Sequence, residues 1–286
     1  MRGVGGSAFL WQNGGTMPAR PPFPALAAEA VTCLRFYTRL PLPALAVEAA
    51  HPPDPFARCL AWAPLAGAAV GLFGAAALAG AAALGLPPAV GAALAVLSTV
   101  LASGGLHEDG LADCADGFGG GGTRERKLEI MRDSRLGTYG ALAVGFSLLL
   151  RTAALAALGE RGGPGLAAAG LVTAAAASRG IGLMPMALLA PARADGLGHG
   201  AGRLPASVFP AAAAGALALG LALPLSAGVP PLRAALALGA ATLAAAGVTR
   251  LARGQIGGVT GDVAGCCQQC CEVALLLGLL IAPGAG

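Results

Sequence analysis

The chain has 286 residues, of which 56% are hydrophobic and 11% charged, with a formal net charge of +4. Soluble domains hold about 25% charged residues, because their surface must face water. A chain this poor in charge, with a mean hydropathy of +0.73, excludes a soluble enzyme, a disordered protein and a nucleic-acid binder of the basic-patch type. It reads as an all-α polytopic membrane helix bundle.

Residues 1–20 are glycine-rich and polar and lack the apolar core of a signal peptide. They are expected to form a disordered extension, with Met17 an alternative initiator, ahead of a single integral membrane domain over 21–286. Residues 24–41 place Arg35 and Arg39 four apart and Phe36 and Leu40 on a neighbouring face. That pattern predicts a helix lying at the membrane surface. Seven apolar segments follow, at 58–84, 87–103, 137–158, 165–190, 205–226, 232–250 and 263–282, and each is expected to cross the bilayer. Gly-Pro punctuation separates some of them, as at Gly85-Leu86-Pro87-Pro88, Gly162-Gly163-Pro164 and Gly228-Val229-Pro230-Pro231. Longer polar loops at 104–136, 191–204 and 251–262 separate the others. These loops collect Arg124, Arg126, Lys127, Arg132, Arg135, Arg193, Arg203, Arg250 and Arg253, whereas the short turns hold only Arg161 and Arg233. The positive-inside rule therefore puts the loops and the N-terminus in the cytoplasm. Arg151 and Arg179 fall inside predicted spans. Such a charge has either an ion-pair partner or an anionic substrate, and both readings stay open.

Seven of the fourteen acidic residues lie in 108–133. If the second span continues as a helix, Asp109, Asp113 and Asp116, at i, i+4 and i+7, share one face. Carboxylates so placed repel one another unless a cation neutralises them, and hard oxygen ligands suit Mg²⁺ or Mn²⁺. A solvated acidic loop is the rival reading, but such loops mix in Lys, Ser and Asn, and here the acids alternate with Leu, Ala and Gly. His107 and Glu108 point elsewhere on the helical wheel. Four glycines at 119–122 precede a cationic run, a backbone able to approach phosphate. Residues 123–136 read as a surface helix with internal ion pairs. Arg132, Asp133 and Arg135, followed by Gly137-Thr138-Tyr139-Gly140, sit where the chain re-enters the membrane and are the better candidates for substrate contact. Asp262, ringed by glycines in the run 253–262, is either an N-cap or part of an anion site at a helix N-terminus. Cys266, Cys267, Cys270 and Cys271 lie on one helix with no nearby His and are expected to be small core residues rather than a zinc site.

The stretch GGLHEDGLADCADGFGGG at 104–121, followed by RERKLEIMRDSRLGTYGALA and later by GGVTGD with Glu272, resembles the cobalamin synthase family, also called adenosylcobinamide-GDP ribazoletransferase. The likeness covers roughly residues 24–282, while the CCQQCC run departs from the small and polar residues expected there. The resemblance implies a Mg²⁺-dependent, multi-pass transferase of the cell inner membrane, with 104–136 as its cytoplasmic catalytic loop. It would join adenosylcobinamide-GDP to α-ribazole, or its 5′-phosphate, and release GMP in the last step of nucleotide-loop assembly. On that likeness Asp109, Asp113 and Asp116 become metal ligands, with Glu108 as a fourth. Arg132 and Arg135, together with Asp133, face the diphosphate, and Arg124 and Lys127 stand behind them. The hydroxyl proton goes to Asp262 or His107. The expected partners are the two substrates, the bilayer and a homo-oligomeric copy, with no nucleic acid. Two alternatives are a CDP-alcohol-type phosphotransferase, whose leading Asp is Leu106 here, and a cation transporter using the acidic cluster.

Overall fold

In an apolar medium long Ala-, Leu- and Gly-rich runs can satisfy their backbone only within themselves, and they do so as helices. The computed structural model describes residues 23–42, 56–193 and 204–281, so the expected extension at 1–20 lies outside the described residues. Helix α1 spans Phe23–Tyr37, and a 3₁₀ turn at Phe56–Trp62 runs into α2, Ala63–Ala83. Then come α3 (Pro88–Ser103), α4 (Leu106–Gly120), α5 (Arg124–Ile130), α6 (Thr138–Ile181), α7 (Met184–Leu188), α8 (Val208–Ser226), α9 (Pro231–Ile256) and α10 (Gly261–Leu280). Pro opens α2, α3 and α9, positions where its missing N–H has no helical partner to lose. The helix starts therefore fall close to the Gly-Pro punctuation read from the sequence.

Among the described residues five helical segments are long and apolar enough to cross a membrane, and a bent pair, α3 with α4, brings the number to six. The longest of the five, Thr138–Leu188, contains a break at Gly162-Gly163 inside α6. Before the break Ser147, Arg151 and Arg161 meet Gln269, Glu272 and Leu280 in the same order. After it the order reverses, with Gly170 beside Leu279 and Ser178 bonded to Gln268. The two arms of α6 are thus antiparallel, matching the expected segments 137–158 and 165–190.

One expectation fails. The second span does not run on through the acids: Gly104 and Gly105 both take positive φ, 68° and 70°, and the chain turns by 90° between α3 and α4. Two successive left-handed residues are strained for anything but glycine. The predicted loop 104–136 is accordingly mostly helical, with α4 as an acid-bearing helix packed against α6 and α10. Large side chains such as Leu72, Phe73, Leu101, Phe146, Leu217 and Leu243 remain exposed on the outside, as a lipid-facing surface requires, while small residues fill much of the interior.

Candidate active site

The acids are positioned by a close crossing of α4 over the start of α10. A Cβ on Gly110 would stand 2.8 Å from the Asp262 carbonyl oxygen and 3.2 Å from the Gly265 Cα, so only two bare backbones can approach this closely. Asp109 flanks this contact, Asp113 lies one turn further along α4, and Asp262 stands in the first turn of α10. Helix α4 does not qualify as a span alone and counts towards one only as the bent partner of α3. Burial, reinforced by the Asp109 and Asp262 carboxylates and opposed by Arg193, pushes the Asp113 carboxyl up to about 7.

Two side chains hold the Asp262 carboxylate, and a backbone pairing brings one of them into place. Ala192 N–H donates to Val259 O at 2.8 Å and Val259 N–H to Ala190 O at 2.9 Å, fastening the glycine-rich approach to α10 onto the segment after α7. This brings Arg193 to Asp262, where Nη2 donates to Oδ2 at 2.9 Å. Thr260 Oγ1 donates to the same oxygen at 3.1 Å and accepts from Val263 N–H at 3.3 Å. The N-cap of α10 is therefore Thr260, and Asp262 is left as a side chain of the site.

The four expected metal ligands do not converge. Among the described residues no group of three or more His, Cys, Asp and Glu side chains is placed to hold a metal ion. Glu108 turns into the bundle, accepting from Arg151 Nη2 at 2.9 Å and Gln269 Nε2 at 3.2 Å. Asp116 accepts from the backbone N–H groups of Gly137 and Gly140 at 2.8 and 2.9 Å, and a side chain at either glycine would collide with its carboxylate. It ties α4 to the start of α6. Asp109, Asp113 and Asp262 remain facing one another's charge.

The expected phosphate contacts divide in the same way. Arg124 donates from Nε to Ile256 O at 2.8 Å and from Nη2 to Ala192 O at 2.7 Å, and Lys127 bonds Gln255. These two brace α5 against the end of α9. Arg135 and Asp133 form an exposed bidentate pair; the Arg135 guanidinium holds the Asp133 carboxyl at about 2. Arg132 is exposed in the link to α6.

Sequence reasoning missed a buried polar network. Arg151, only 2% exposed, bonds Glu108 and, at 3.4 Å, Glu272. Gln268 Nε2 donates to Glu272 and to Ser178, Gln269 donates to Gln268 and Glu108, and Ser147 donates to Gln269. The signal was present as Gln268, Gln269 and Glu272 within an apolar helix. Cys267 and Cys271 beside them are core residues, as expected.

Two cavities meet at Asp109. One, of about 230 Å³, is lined by Phe36, Tyr37, Phe56, Met186 and other apolar groups, with His107, Asp109, Arg179, Arg193 and Asp262 among them. His107 is buried there and stacks on Tyr37, with 5.5 Å between ring centroids. The other cavity, of about 630 Å³ and more open, is bordered by Arg35, Thr38, Arg39, Ser103 and Asp109. Phe36, Leu106 and Asp109 wall both.

These features define a multi-pass helical membrane protein with a pair of adjoining cavities that share Asp109 in their walls. Residues 29–280 match the family model described as cobalamin-5-phosphate synthase. A relative from Azorhizobium caulinodans named adenosylcobinamide-GDP ribazoletransferase is 52% identical over 90% of this chain and 96% of its own. Proteins of the same name from Mesorhizobium japonicum and Xanthobacter autotrophicus are 46% and 48% identical, over 87% and 91% of this chain and 91% and 98% of theirs. No solved structure matches. The chain belongs to the cobalamin-5-phosphate synthase family, and is a transferase of cobalamin biosynthesis.

Proposed function

We propose that this chain joins adenosylcobinamide-GDP to α-ribazole or its 5′-phosphate, releasing GMP, with Mg²⁺ as cofactor, in the cell inner membrane. In this reading it crosses the bilayer seven times, counting α3 and each arm of α6 separately, with the N-terminus and α4 on the cytoplasmic side. The observation that carries the reading is Asp109 standing in the wall shared by two cavities, one apolar and small, the other bordered by Arg35 and Arg39. A transferase with two unlike substrates needs such a junction, and a one-substrate channel does not.

Mg²⁺ commonly takes one or two protein carboxylates and completes its shell with water and substrate phosphates. Asp109, Asp113 and Asp262 supply hard oxygen donors of the right kind, and their failure to form a closed cage suits an ion shared with a diphosphate. Bound there, Mg²⁺ would neutralise charge on the donor's phosphates. The protein's own part is positioning and charge. The acceptor ribose hydroxyl attacks the phosphorus that stays with cobinamide, the bond from that phosphorus to the GMP oxygen breaks, and the hydroxyl proton passes to Asp262 or His107. Arg193 keeps Asp262 oriented towards the small cavity.

The test is Mg²⁺-dependent GMP release from adenosylcobinamide-GDP by the detergent-purified protein, expected only when α-ribazole or its phosphate is present. Release of CMP from CDP-diacylglycerol instead, or cation counterflow in proteoliposomes without GMP, would overturn it.

A further inference from the structure

We propose that the 230 Å³ cavity is the pocket for the acceptor's base, a flat heteroaromatic ring whose unsubstituted ring nitrogen accepts a hydrogen bond from Arg179 Nε. This rests on the transferase reading above and specifies which substrate occupies which cavity.

Size comes first. Small-molecule pockets usually measure about 300–1,000 Å³, so 230 Å³ suits a bicyclic base and is far too small for a corrinoid macrocycle. The walls agree: Phe36, Tyr37, Phe56, Leu60, Leu183 and Met186 form an apolar, partly aromatic lining suited to a flat ring. Arg193, whose Nε is also without a partner, lines the same cavity, but its Nη2 is engaged by Asp262.

Arg179 breaks this apolar lining. It is 4% exposed, and its Nη1 donates to Ala175 O at 2.8 Å. Its Nε has no hydrogen-bond partner among the described residues, and none of their carboxylates lies within ion-pair distance of it. The guanidinium stands 5.9 Å from the centre of the Tyr37 ring, which in turn stacks on His107. A rigid planar donor is thus held inside an apolar pocket with one N–H unanswered. Buried donors are almost always satisfied, and a ring nitrogen is the acceptor that an aromatic pocket would admit. Asp109 and Asp262 line the same cavity, so a nucleoside with its base inside would bring its ribose hydroxyls to the carboxylates.

The experiment uses the full chain in detergent and two near-isosteric probes, benzimidazole riboside, which has a free ring nitrogen, and indole riboside, which has a C–H there. The wild-type protein is expected to bind the benzimidazole nucleoside about tenfold tighter than the indole one. Arg179→Met is expected to reduce that preference to about twofold or less and to leave the KM for adenosylcobinamide-GDP within about twofold, whereas Arg179→Lys keeps part of the preference. Equal wild-type binding of the two nucleosides overturns the proposal without needing any variant. A preference that survives in Arg179→Met, or competition by inorganic phosphate at this pocket, overturns it too. Absence of GMP release would instead defeat the transferase reading, since nucleoside binding is measured without the donor.

Discussion

Arg151→Met is the most demanding test of how the site is held. Arg151 is 2% exposed, and its two partners, Glu108 and Glu272, have side chains only 11% and 4% exposed. Removing the guanidinium leaves two carboxylates in the interior with the amides of Gln268 and Gln269 bonded to them and the charge of Arg179 nearby. Breaking a buried pair from one side typically costs about 3–5 kcal/mol. At roughly 2–4 °C per kcal/mol for a chain of this size, the thermal midpoint in detergent should fall by about 6–20 °C. The triple variant Glu108→Gln, Arg151→Met, Glu272→Gln removes all three charges and leaves amides that the neighbouring glutamines and Ser147 can bond. Neutral replacements of buried ion pairs are often tolerated, so most of the lost stability should return. Glu108 precedes Asp109 on α4, and Glu272 shares α10 with Asp262, so the triad also fixes the angle between the two acid-bearing helices. Turnover in Arg151→Met should drop on the order of 100-fold, as a misplacement near 1 Å does in other enzymes. An Arg151→Met protein as stable as wild type, or a triple variant no more stable than the single one, would refute the pairing.

Other consequences can be checked in the same preparations. Mn²⁺ binding followed by electron paramagnetic resonance should be weak alone and tighten at least tenfold with a nucleotide diphosphate, and Asp109→Asn should abolish the gain; tight binding to the protein alone would indicate a closed cage. Gly110→Ala should lower both stability and turnover, because its methyl meets the Asp262 carbonyl at 2.8 Å, although alanine favours helices by about 1 kcal/mol. Gly80→Ala meets nothing within 4 Å and should raise the thermal midpoint slightly. Asp116→Ala should cost about 1–3 kcal/mol by stranding the Gly137 and Gly140 N–H groups, while Mn²⁺ affinity stays unchanged. A loss of metal affinity equal to that of Asp109→Asn would return Asp116 to the ligand set.

Helix positions were legible because apolar runs bounded by Gly and Pro leave few alternatives, and α2, α3, α8 and α10 fall within a few residues of expectation. The acids were legible as a cluster because so few others exist in the chain. Their partners were not. Glu108 is one residue from Asp109, about 100° around a helix, and that rotation alone sends it to Arg151. The groups that Asp116 satisfies lie 21 and 24 residues away. Arg193 reaches Asp262 across 69 residues through a two-bond backbone pairing that no periodicity announces. The turn at Gly104-Gly105 was hidden for a local reason: a glycine pair permits a bend as readily as a straight helix, and packing decides.

The distribution of paired and unpaired charge is what supports the proposed location of the chemistry. In a low-dielectric bundle a charge without a partner is costly, and those that persist mark binding or catalysis. Arg151 and Arg179 lie in opposite arms of the same hairpin. The first is matched by Glu108 and Glu272, and Arg193 is matched by Asp262. Among the described residues near the crossing of α4 and α10, Arg179, Asp109 and Asp113 lack an ion-pair partner, as does Asp116, whose carboxylate is instead held by two backbone N–H groups. Arg179 and Asp109 line the small cavity, and Asp113 lies one turn from Asp109. The cavity wall thus carries one donor without an acceptor, Arg179 Nε, and one carboxylate without an ion-pair partner, Asp109. In the proposed reading a nucleoside base would answer the first and a diphosphate-borne divalent ion the second, so α4, α6 and α10 together would serve two different substrates.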